Sequence, residues 1–189
     1  MTRLVALGEC MVEMAPIATE RQFSMGFAGD TLNTAWYLRR LLGPDDQIDY
    51  FTAIGTDAVS EHMVGFLKQA GIGTEHILRR ANKSVGLYMI QLQEGERSFS
   101  YWRSDSAART LAADALPLQA TLEGADFAYF SGITLAILPP ADRSRFLAVL
   151  RRFRDSGGCV VFDPNLRPKL WASPQEMTEA VMQAAAISD

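Results

Sequence analysis

The chain has only two cysteines and two histidines in 189 residues. Cys10 and Cys159 stand far apart without CxxC spacing, which excludes a disulfide scaffold and reads as two reduced thiols in or near strands. His62 and His76 lack the spacing of metal ligands, so no metal centre is expected. No stretch approaches the roughly 18 apolar residues of a membrane-spanning helix. The few apolar residues ahead of Glu9 and Glu13 are too short for a secretory leader, and the expectation is a cytoplasmic protein. Positive charge is scarce too. Eighteen Lys and Arg against 22 Asp and Glu give a formal charge of -4, with no basic stripe to attract nucleic acid or an anionic membrane. Any anionic ligand must therefore be gripped by local arginines. Neither the G-x-x-x-x-G-K-[ST] phosphate loop nor the dinucleotide G-x-G-x-x-G occurs, and there is no internal repeat, low-complexity segment or long linker.

What is present is a hydrophobic content of 48%, enough for one sizeable core. Residues 3–8 read as a buried strand. Leu32, Ala35, Leu38 and Leu41 recur at helical spacing, predicting a helix over about 31–42 that Asp30 can cap and Gly43-Pro44 stops. A strand at 50–54, a helix at about 59–70 and a strand at 127–131 follow. Further on come a helix at 143–154, a strand at 159–163, and a helix opened by Ser173-Pro174-Gln175-Glu176 with its capping signature. This alternation predicts a three-layer α/β domain with a mainly parallel sheet. Residues 85–92 and 97–103, joined through Glu94-Gly95-Glu96, break it as an antiparallel hairpin. With strand candidates near 9–16 and 23–28 they predict a small accessory sheet lying across a ligand cleft as a lid.

Three constellations can carry chemistry. At the turn Gly26 to Thr34, Gly29 permits close backbone approach, and Asp30 and Asn33 sit one helical turn apart, placed to face a polyol; Asp30 as a plain helix cap is the other reading. On the hairpin, Tyr101 and Arg103 point to one face with Phe99, and Tyr88 lies on the partner strand. A phenol and a guanidinium together suit a substrate with hydroxyls and a carboxylate, although an aromatic pair packing for its own stability would look the same. Beyond the strand at 159–163 stand Asp163, Asn165 and Arg167, where open α/β sheets bind ligands. Ser131-Gly132-Ile133 occupies an equivalent strand end, with Ile133 as an apolar wall or a simple terminus.

In order along the chain, Gly8-Glu9-Cys10-Met11-Val12-Glu13, Phe27-Ala28-Gly29-Asp30-Thr31-Leu32-Asn33-Thr34, Thr52-Ala53-Ile54-Gly55-Thr56-Asp57, Gly86-Leu87-Tyr88, Tyr101-Trp102-Arg103, residues 131–138 and Asp163-Pro164-Asn165-Leu166-Arg167-Pro168-Lys169-Leu170-Trp171 resemble the ribokinase-like (PfkB) carbohydrate kinases. Within that family the likeness is to the 2-keto-3-deoxygluconate kinases, and it covers an N-terminal portion. The resemblance implies a ribokinase-like α/β/α domain. It also implies transfer of the ATP γ-phosphoryl group to the 6-hydroxyl of a sugar acid, with Mg²⁺ or a similar cation. Carried over residue by residue, Gly29, Asp30, Asn33, Tyr88, Tyr101, Arg103, Ile133 and Arg167 would contact the sugar, with Asp163 and Asn165 on the phosphate side. Which arginine holds the carboxylate stays open. Lid sheets of this family often pair between subunits, which makes a homodimer the expectation.

Two departures stand out. Ala28-Gly29 replaces the usual glycine pair. The Gly-Ala-Gly-Asp segment that supplies the family's catalytic aspartate and anion hole is absent, so residues 1–189 alone are expected to lack kinase activity. The rival readings are a kinase for fructose, ribose or a nucleoside and a non-catalytic sugar-acid binding module; a nucleotide-binding oxidoreductase is disfavoured by the missing fingerprint.

Overall fold

Residues 1–17, 22–93 and 96–189 are described by the structure, a computed structural model. The chain opens with strands β1 (Arg3–Leu7), β2 (Met11–Pro16) and β3 (Phe23–Ala28), then helix α1 (Asp30–Leu41), β4 (Gln47–Phe51), β5 (Ala53–Ile54) and α2 (Ala58–Gln69). Next come β6 (Leu78–Arg79), β7 (Leu87–Gln93), β8 (Glu96–Trp102), α3 (Ala115–Leu122) and β9 (Phe127–Ser131). It continues with α4 (Gly132–Ile137), α5 (Pro140–Asp155), β10 (Cys159–Asp163) and α6 (Pro174–Ala185). The main sheet has the order β10-β9-β1-β4 and is parallel throughout.

Strand alternation creates two cores, because successive side chains leave opposite faces of a sheet. Val5, Leu7, Phe51, Ala128, Phe130 and Val160 pack on one side with Phe146 and Leu150 of α5 and Leu118 of α3. Ala6, Ile48, Tyr50 and Tyr129 pack on the other with Leu32 and Ala35 of α1 and Met63 and Leu67 of α2. A sheet buried on both faces needs helices on both, and the expected three-layer α/β/α arrangement is what forms. Among the described residues, no helix is long and apolar enough to cross a membrane.

The smaller sheet has the order β3-β2-β7-β8, with β2 antiparallel to β3 and parallel to β7, and β7 antiparallel to β8. Its registers define two rows. Gly26, Glu13, Tyr88 and Tyr101 are mutual partners on one face; Phe27, Val12, Leu87 and Trp102 are partners on the other. Of the hairpin turn read from the sequence, Glu94 and Gly95 lie outside the described residues, while Glu96 begins β8.

Several boundaries differ from the sequence reading. The run at 50–54 is the end of β4 plus the separate β5, which pairs with β6 instead of the main sheet. Helix α1 begins at Asp30, with Gly29 in the capping position and no side-chain cap; Asp30 is therefore the first helical residue, not the cap. Ser131-Gly132-Ile133 starts α4, closed by a reciprocal box between Ser131 and Thr134. At α6 only half of the expected box forms: Ser173 Oγ accepts from the Glu176 N–H at 3.1 Å, and the Glu176 carboxylate instead takes Arg143 at 2.9 Å.

Helix α2 is capped by Asp57, whose Oδ1 accepts from the Ser60 N–H (3.0 Å) and whose Oδ2 accepts from the Ser60 hydroxyl (2.9 Å). Partial burial pushes the Asp57 carboxyl up, but these bonds outweigh it and hold the group below its ordinary value. Asp57→Ala should destabilise the protein by about 1–2 kcal/mol in urea unfolding. Because the folded-state value is depressed, this contribution is complete above the ordinary aspartate range and is lost as pH falls through the folded value, so the gap between wild type and variant narrows in acid.

Candidate functional site

At the carboxyl ends of the main-sheet strands, local hydrogen bonds fix four segments against one another. Thr134 Oγ1 donates to the Leu7 carbonyl (3.0 Å), joining the start of α4 to the end of β1. Past β10, Asp163 Oδ1 accepts from the Asn165 N–H (3.0 Å). Asn165 is the one described non-glycine residue with positive φ (29°), a conformation asparagine tolerates. In that conformation its Nδ2 donates to Asp30 Oδ2 at 2.7 Å, tying the loop after β10 to the first turn of α1. Beneath that turn, the Tyr50 hydroxyl meets Thr31 Oγ1 (2.9 Å), and Tyr129 Oη accepts from Thr34 Oγ1 (3.1 Å). Burial pushes both phenols up, so they stay protonated.

Between the smaller sheet and these strand ends lies a cavity of about 630 Å³. Arg97, Ser98, Phe99, Tyr101 and Arg103 line it from β8 and its exit; Ile133 lines it from α4, and Arg167, Pro168, Lys169 and Leu170 from the loop after β10. Four of the ten lining residues are cationic and none is acidic. Phe99, Tyr101 and Tyr88 form an aromatic layer with ring centroids 5.9–6.3 Å apart. The Tyr88 hydroxyl donates to Glu13, and burial together with that bond raises its phenol well above the ordinary value.

The structure thus brings Tyr101, Arg103, Ile133 and Arg167 to one cavity, with Tyr88 behind Tyr101. Asp30, Asp163 and Asn165 form a second, hydrogen-bonded group at the same end of the sheet. Asn33 is not brought to the cavity; it is exposed on α1 and borders a separate hollow of about 240 Å³ with Trp36, Tyr37 and Phe66. Gly29 has extended backbone (φ 177°), and what approaches it is the chain itself: a Cβ there would collide with the Glu9 carbonyl oxygen. Ala28 does not have positive φ, so the missing second glycine is not needed for backbone reasons.

Glu9 is the residue the sequence reading passed over. Its side chain is 1% exposed, accepts from the Arg103 guanidinium and from the Ser106 hydroxyl, and is raised by burial against the opposing pull of Arg103 and Ser106. Its signal was a carboxylate embedded between the buried strand β1 and Cys10-Met11-Val12. Arg97 and Lys169 were also missed, although each lies two residues along from a position that was noted (Phe99 and Arg167).

A larger hollow, about 880 Å³, opens at the other end of the sheet between the turns at 122–127 and 156–159. It faces the amino ends of the strands and gathers no comparable set of charges, so the smaller cavity is the candidate site.

Residues 1–189 match, over their full span, the family described as pfkB family carbohydrate kinase. The chain belongs to that family. This pfkB-family chain is 43% identical over 190 residues to the 2-dehydro-3-deoxygluconokinase of Dickeya dadantii, covering 98% of itself and 61% of that protein. It is 40% identical to the enzyme of the same name from Haemophilus influenzae, covering 97% and 59%. A fructokinase of Vibrio alginolyticus is 27% identical, with 100% and 59% covered. The chain therefore spans about 60% of the length of the curated relatives it matches. Among solved structures, a PfkB protein from Polaromonas sp. JS666 superposes with a TM-score of 0.87 at 26% identity, over 100% of this chain and 64% of its own.

The Gly29 contact yields a direct test. Gly29→Ala should cost about 1–3 kcal/mol, as expected for an overpacked site. Gly26→Ala, where nothing lies within 4 Å of an added Cβ, should stay within about 0.5 kcal/mol. Thermal or urea unfolding of the two variants provides the comparison.

Proposed function

We propose that the protein is a sugar-acid kinase that transfers the γ-phosphoryl group of ATP to the 6-hydroxyl of 2-keto-3-deoxygluconate in the cytoplasm. The observation that carries this reading is the cavity shared by Arg103 and Arg167, cationic at four positions and without a lining carboxylate. A neutral sugar has no use for that charge. Arg167 has an exposed side chain and, among the described residues, no carboxylate within ion-pair distance; its Nη1 donates to the Leu166 carbonyl at 2.8 Å, a solvent-exposed bond that a bidentate grip on the substrate carboxylate would replace. Tyr101, backed by Tyr88, supplies an aromatic wall and a hydroxyl, and Ile133 the apolar wall opposite. Gly29 and Asp30, at the first turn of α1, are assigned to the sugar hydroxyls; Asn33, which faces a separate hollow, is left out of the site. For Asp30 this means exchanging its bond to Asn165 for one to the ligand.

Asp163 and Asn165 are assigned to the nucleotide-phosphate side, at the carboxyl end of β10 where such groups bind. Among the described residues no group of three Asp, Glu, His or Cys could cage a metal ion. Mg²⁺ would accordingly be held by the nucleotide phosphates with one carboxylate such as Asp163, the usual manner for this ion. No Gly-Ala-Gly-Asp segment occurs in these 189 residues, and the transfer step is proposed for a protein of its relatives' full length.

The test is a substrate panel on the full-length protein. 2-Keto-3-deoxygluconate should be phosphorylated in preference to fructose and ribose. Losing one charged hydrogen-bonding partner is worth about 1.5–3 kcal/mol, so Arg167→Met should lower kcat/KM for the acid by about 10–100-fold. Turnover of a neutral sugar should change by less than about threefold. A wild-type preference for neutral sugars would favour the fructokinase-type reading, and binding of the acid without turnover a binding module.

We further propose a homodimer formed through the face of the smaller sheet that carries Phe27, Leu87 and Trp102. Trp102 and Met25 are 57% and 48% exposed on it, and Met14, Met25 and Met89 form a second apolar row there. Trp102→Glu should shift the protein to monomer in sedimentation velocity, with an unchanged far-ultraviolet spectrum.

A further inference from the structure

The chain crosses between the smaller sheet and the main domain four times: from Gly8 into β2, from β3 through Gly29 into α1, through Gly86 into β7, and from β8 through Arg103 toward Ser106. Glu9 meets all of them. It forms the first crossing itself, and its carbonyl oxygen is pressed against Gly29. Its Oε1 lies 2.9 Å from where a Cβ on Gly86 would sit and accepts from Ser106 Oγ, while its Oε2 accepts from Arg103.

A buried carboxylate beside a cavity meant for an anion is unfavourable unless its charge is absorbed. A neutral side chain could tie the four crossings together without opposing the ligand, so mechanical linkage alone does not explain a glutamate. What the charge adds is a fixed guanidinium. Arg103 is only 11% exposed in its side chain, and among the described residues its Nε has no hydrogen-bond partner and Glu9 is its sole ion-pair partner. Arg103 also lines the cavity, so the carboxylate that holds it sits one residue behind the ligand.

We propose that Glu9 is a positioning residue for the sugar site. Its carboxylate sets the orientation of the Arg103 guanidinium, and with it the root of the strand carrying Tyr101, on the β8 wall of the cavity that receives the substrate; this rests on the sugar-acid reading above.

The experiment is a double-mutant cycle in the full-length protein, comparing wild type, Glu9→Gln, Arg103→Met and the double variant for KM and kcat with 2-keto-3-deoxygluconate, alongside melting temperature. Glu9→Gln should raise KM about tenfold with kcat within about threefold, the pattern of lost binding without lost chemistry. On the Arg103→Met background the same change should add less than about twofold, because residues acting through one another are non-additive. Independent, multiplying effects, or a lower melting temperature with unchanged KM, overturn the proposal and leave Glu9 a structural link only. Should Glu9→Gln fail to fold, Glu9→Asp replaces it in the cycle; it keeps the charge one methylene short and should raise KM about threefold, with the same non-additivity. Wild type that neither binds nor turns over the acid removes the sugar-acid reading and this proposal together, whereas normal wild-type turnover with uncoupled variants removes this proposal alone.

Discussion

The ion pair between Glu9 and Arg103 is the contact on which the site's shape rests. Each partner alone would be costly in so dry a place, since removing one side of a buried pair typically costs about 3–5 kcal/mol. Two other pairs, the buried Arg3 with Asp49 at 2.8 Å and the partly buried Arg143 with Glu176 at 2.9 Å, join elements of the main domain to one another. The Glu9 pair differs in joining the main domain to the smaller sheet, and it does so at the edge of the cationic cavity. Apolar contacts such as Phe27 against Phe66 also join the two, but the charged contact is the one that reaches the cavity's lining.

The second polar group at this end of the sheet depends on a different device. Main-sheet strands present Tyr50 and Tyr129 toward α1, and Thr31 and Thr34 receive them one turn apart in the helix. Apolar packing of Leu32 and Ala35 gives the helix its face, but apolar contacts alone tolerate sliding; two hydroxyl pairs with fixed geometry set its position along the sheet. The first turn of α1 thereby reaches Asn165, and the strand-end loop is drawn to the same place.

The fold was legible from the sequence where periodicity is strong. The apolar runs at β1, β9 and β10 and the helical spacing in α1, α2 and α5 were read within a few residues of their observed bounds. Helix α3 escaped because it is only eight residues long with Pro117 in its first turn, and α4 because its six residues follow β9 without a break. In the site, Tyr101 and Arg103 could be paired from strand alternation alone, and Arg167 could be placed at a strand end. That they share a cavity with Ile133 is a tertiary fact beyond any local pattern. The glycine at position 29 was noticed for close approach to a ligand; the structure adds that its empty side makes room for the backbone of Glu9. That contact spans twenty positions, and nothing in the local sequence announces it.

Having every crossing meet at a single residue also gives the smaller sheet a lever geometry. Strand β8 runs outward from that point through Arg103, Tyr101, Phe99 and Arg97, at about 3.3 Å per residue, so the outermost of these side chains stands about 20 Å from the innermost. A rigid tilt of about 10° around the shared root would carry Arg97 by about 3–4 Å and leave Arg103 almost still. The group nearest the fulcrum would keep constant geometry, and the gap at the far end would open and close.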